Sequence, residues 1–308
     1  MRKSVRRIAA IFLILVLGPA VASAEAYFPL RILLSPEQRE SGGGRHMVIF
    51  VEKETINSRV NPVGLSSVTG GGIVPALIDQ TIEGSRKQKA EDPLAEVRAS
   101  LADYDLKISA VAAADHVKKN IEWLGVDRIV ATDIDPLPPD DVSAITDAEV
   151  LTLQYRLEIE PRFDAIKLWA HAELVDKELL KELSLKKIKK KKTTPGLKFS
   201  QDFICFVPLR GAKGDINENA AQWIGDGGKP IKDSIDLALA GVARMLTTAL
   251  AVVEDDAKIV KSRKAKRVGY SAKAVENYYG KPVSEDETGT VIETQFGEWV
   301  YYYWPTQK

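Results

Sequence analysis

His171 and Glu173 stand two residues apart in "LWAHAEL", which puts an imidazole and a carboxylate on the same side of one strand. A metal site can begin that way, but it needs a cluster of His, Cys or carboxylates. The other two histidines, His46 and His116, are distant in sequence, and Cys205 lies inside the apolar stretch "DFICFVPL". The expectation is therefore a surface His–Glu pair, with no metal and no cofactor. Cys205 reads as a buried thiol without a reactive role, and a lone cysteine forms no disulfide within the chain.

Hydrolytic motifs are equally thin. Ser184 and Lys187 satisfy S-x-x-K only because a lysine run follows, and neither Lys-Thr-Gly nor G-x-S-x-G occurs. The acidic stretch "DIDPLPPDD" at 133–141 lacks the glycine and distal Glu of a calcium loop, and its three prolines favour a rigid connector. Gly70, Gly71 and Gly72 precede a helical pattern, yet no Lys-Ser or Lys-Thr follows, and Pro75 removes a donor that a phosphate loop would use. They read as a hinge feeding an amphipathic helix. The chain's 43 acidic residues offer too many pairs to single out a glycosidase dyad. The balance leans away from an enzyme.

Two other features favour binding. Five of the six residues from Trp299 to Trp304 are aromatic. A two-residue loop at Phe296-Gly297 would set Thr294 opposite Trp299, Ile292 opposite Tyr301, Val291 opposite Tyr302 and Gly289 opposite Trp304. Aromatics then occupy both faces of the strand. The Trp299, Tyr301 and Tyr303 face becomes the candidate partner-binding surface, because Tyr and Trp anchor interfaces. The second feature is "KKIKKKK", in which Lys186, Lys187, Lys189, Lys190, Lys191 and Lys192 form a candidate contact for anionic lipid headgroups or lipopolysaccharide. A further basic run spans 258–267.

These residues need a frame to hold them. "YFPLRILL" and "HMVIFVEKETI" read as strands. Asp92-Pro93 reads as an N-cap followed by a first-turn proline, with Leu94, Val97 and Leu101 continuing an apolar stripe. Ile108, Val111, Ala114, Val117, Ile121 and Leu124 mark another helix, and "DRIVATDI" a short strand. From Leu151 to Ile159 and again from Ile166 to Leu174, apolar residues alternate with polar ones, which predicts an antiparallel hairpin with one apolar face. "LKFSQDFICFVPL" is a third strand. "KPIKDSIDLALAGVARMLTTALAVVED" is a helix that should lie across the sheet; Arg244 in its middle argues against a membrane span.

The N-terminus has a basic head at Arg2, Lys3, Arg6 and Arg7, an apolar run from Ile8 to Leu17, and small residues at Ala22 and Ala24. That is a secretory signal pattern, with cleavage expected after Ala24. No cysteine lies near the cleavage point, so a lipid anchor is not expected. The signal carries four of the 43 basic residues and none of the 43 acidic ones, leaving a mature chain of net charge −4. That balance gives no reason to expect nucleic acid as a partner.

The sequence thus predicts an exported α+β protein, periplasmic or secreted. Its parts are a signal peptide at 1–24, a domain at 25–257 with a mainly antiparallel sheet and packed helices, a basic linker at 258–267, and a small C-terminal β module at 268–308. The expected role is a non-catalytic envelope interaction or assembly module that binds a protein or glycan partner. A hydrolase acting on cell-wall or glycan material through an acid pair is one alternative; a periplasmic small-ligand carrier with a closed apolar pocket is the other.

Overall fold

The computed structural model describes residues 32–40, 44–52, 56–58, 92–185, 194–252, 263–268, 278–295 and 297–303. The segment expected to be a signal peptide, the glycine run with the helix expected after it, the lysine run at 186–192, and the chain from Trp304 onward lie outside the described residues.

Alternation builds the centre of the sheet. In β4 (Glu149–Ile159) and β5 (Ala165–Asp176) every second residue is apolar, and the antiparallel register pairs Leu151 with Leu174, Tyr155 with Ala170 and Ile159 with Ile166. All five apolar pairs therefore share one face, as a period of two requires. β6 (Leu197–Pro208) continues antiparallel on the far side of β5. On the near side, β1 (Arg45–Val51) runs parallel to β4 and also parallel to β3 (Val126–Thr132), with the short β2 (Asn57–Ser58) beside the end of β4. A parallel neighbour needs a crossover, and α3 (Leu106–Asn120) lies within the connection from β1 to β3.

Sequence reasoning expected the last strands to form their own module; they instead extend the same sheet. β10 (Trp299–Tyr303) docks parallel to β6, and β9 (Gly289–Thr294), β8 (Tyr278–Glu285) and β7 (Lys266–Val268) follow outward in antiparallel steps. The order is β3-β1-β4-β5-β6-β10-β9-β8-β7, so the α+β class holds with a mixed sheet of ten described strands. The tail joins because its apolar residues need cover on both faces, which a free hairpin cannot provide. The expected basic linker is also shorter, since Lys266 and Arg267 belong to β7.

Helices cover the apolar face. The helix at 92–100, here α2, buries Leu94 and Val97, with Leu101 just beyond. α3 buries Leu106, Ala110, Ala114 and Val117, whereas Ile108, expected in the stripe, is 68% exposed. The phase is set at the cap: the Asp105 carboxylate accepts from the backbone N–H groups of Lys107 and Ile108 at 2.9 and 3.2 Å. α6 (Ile216–Ala251) supplies Ile231, Ile235, Ala238, Val242, Met245, Leu246 and Ala249 to the same core. It is the one described helix long and apolar enough to cross a membrane, and these residues are spent on the sheet. On the opposite face, α4 (Pro139–Ala144) and α5 (Lys177–Ser184) cover Val48, Phe50, Val150 and Val175. Beside them Ile204, Phe206, Ile292, Val300 and Tyr302 pack together, with the rings of Phe206 and Tyr302 stacked 4.9 Å apart. The short α1 (Pro36–Glu40) lies outside these layers, at the amino end of β1.

Candidate functional site

The last hairpin decides what the aromatic residues can do. Gly297, at φ 89°, and the backbone bonds Thr294 N–H to Glu298 O (2.9 Å) and Gly297 N–H to Thr294 O (3.0 Å) make the loop one residue longer than expected. Trp299 consequently faces Glu293, Tyr301 faces Val291, Tyr302 faces Thr290 and Tyr303 faces Gly289. The aromatic residue over Gly289 is thus Tyr301, reached diagonally: a Cβ at Gly289 would lie 2.3 Å from its ring.

Trp299 and Tyr301, taken from sequence as partner contacts, are each 1% exposed. Trp299 meets Phe203 edge to face at 6.3 Å, and Tyr301 lies under α6. Their face is the helix-covered one, so they are core. Tyr303 alone of the three is half-buried. Its hydroxyl donates to Leu237 O at 2.9 Å and its ring leans on Tyr301 at 4.4 Å, fixing it at the flank of α6.

A groove of about 990 Å³ opens there, between α6, the carboxyl end of β6 and the turn before β9. It exists because α6 breaks. Gly225 is extended, and Asp226, Gly227 and Gly228 have φ of 50°, 65° and 77°, a left-handed run that glycine tolerates and a helix does not. Gly228 is also required by packing, since a Cβ there would lie 2.8 Å from Ser100 O. Pro230 then opens the second arm, where its missing N–H is no loss. The first arm is pinned by Asp215, which caps it, by Asn219, whose amide donates to Arg162 O and Lys213 O, and by Trp223, whose indole donates to Phe163 O at 2.8 Å.

Trp223, Leu209, Pro230, Leu237 and Tyr303 give the groove an apolar floor, and Leu237 is 40% exposed there. Charge lies at the rim: Lys229 pairs with Asp233, and Asp226, Arg210 and Glu287 complete it. The turn below is held by Arg244, which pairs with Asp286, donates to Tyr301 Oη at 3.3 Å and sits over that ring at 5.7 Å. Hydrogen bonds from Thr288 and the Arg244 guanidinium hold the Asp286 carboxyl well below the usual range. A smaller groove of about 560 Å³ continues past Tyr303 between α3 and α6. Sequence reasoning missed the groove, although "GDGGKP" marked the break and the predicted helix begins at Lys229.

The other expected chemistry is engaged. His171 has both ring nitrogens on carboxylates, Asp202 at 2.7 Å and Glu173 at 3.1 Å, and stacks on Trp169 at 6.0 Å. Burial alone would lower its pKa, but the two hydrogen-bonded carboxylates outweigh it and raise it to about 9. The pair belongs to a three-membered charge cluster rather than the surface; its third member, Asp202, comes from β6, which no local spacing reveals. Ser184 Oγ donates to Lys181 O at 2.8 Å, and Asp133 pairs with Lys107 at 3.0 Å. Cys205 is fully buried, and burial pushes its thiol up. The lysine run lies outside the described residues.

Comparison with known protein families, with curated proteins and with solved structures gave no match.

Proposed function

We propose that this chain is an exported, non-catalytic envelope protein that holds a macromolecular partner, protein or glycan, in the groove beside Tyr303. The observation that carries this reading is the groove itself: an open concavity with an apolar floor, a half-buried tyrosine and a partly exposed leucine, edged by charge. Partner anchors have that make-up, with a few aromatic and aliphatic contacts surrounded by a polar rim. The engagement of His171, Ser184 and Cys205 supports a binding role over a catalytic one. Export rests on the N-terminal pattern of basic head, apolar run and small residues.

The test is affinity capture from the native envelope with the full chain and with Leu237→Glu, both first verified as folded by circular dichroism. Leu237 is partly exposed, so a charge there spoils the groove without entering the core. The expected result is a partner retained by the parent chain and lost at least ~10-fold by the variant, a modest fraction of a typical anchor's effect. Equal capture by both removes the groove from the account. Hydrolysis of purified envelope glycan by the parent chain removes the non-catalytic reading.

A further inference from the structure

We draw no further inference here: the strongest candidate, the smaller groove between α3 and α6 lined by Ala112, Ala113 and His116, continues the groove already described past Tyr303, and nothing in the structure shows what covers it.

Discussion

At the scale of single residues, His171 is the group whose charge the fold fixes most firmly. It sits on β5 beside Glu173 and across from Asp202 on β6, with Trp169 stacked on it. Its folded pKa of about 9 lies above the value of an unfolded histidine. The group whose pKa is raised on folding stabilises most fully below its unfolded value of about 6.5, and that contribution is lost as pH rises through about 9. Replacing it should therefore matter more at neutral pH than in alkali. His171→Gln is expected to lower stability at pH 6 by on the order of 2 kcal/mol, or about 3 °C in Tm for a chain of 308 residues. The gap between parent and variant should shrink by pH 10. Thermal melts of both proteins between pH 6 and 10 measure it; a gap that stays constant contradicts the assignment of a cationic imidazole.

At the scale of elements, the contact between α6 and the sheet governs the shape of the groove. Gly241 lets the helix settle on β6 and β10: a Cβ there would lie 2.7 Å from Cys205 Sγ and 3.1 Å from both Tyr301 and Tyr303. A branched side chain must push the helix away, so Gly241→Val is expected to cost about 1–3 kcal/mol, as overpacking does. Part of that loss should return when Cys205→Ala is added, because neighbouring residues do not act additively. Urea midpoints for the single and double variants read this directly, and an unchanged midpoint for Gly241→Val contradicts the close approach.

The same elements show what could be read in advance. Periodicity alone located β4, β5, β6 and the second arm of α6, because each buries a regular set of residues on one face. It failed where the answer lay in a turn or a distant neighbour. The extra loop residue before Glu298 moved every partner of β10 by one position. The Asp105 cap turned Ile108 outward. Asp202 reached His171 only through strand pairing. The aromatic run was recognised as two-faced, but which face stays open depends on where β10 inserts, and its parallel pairing with β6 is a long-range choice. Among the described residues of the run, only Tyr303, at the strand's end, is partly exposed.

At the scale of the whole molecule, one mixed sheet joins the β1–β3 end to the aromatic hairpin, and the candidate binding groove lies where α6 breaks beside Tyr303. A variant that unfolds the chain removes the groove together with the core, while a surface substitution such as Leu237→Glu should silence the groove alone. The most direct measurement of the central claim puts a photo-activated cross-linking side chain at Leu237 in whole cells, with Lys118 as the exposed control. The account predicts a discrete adduct from Leu237 with another envelope component, weakened when Tyr303→Ala is present and absent from Lys118. The same adducts from both positions, or none from Leu237, would contradict it.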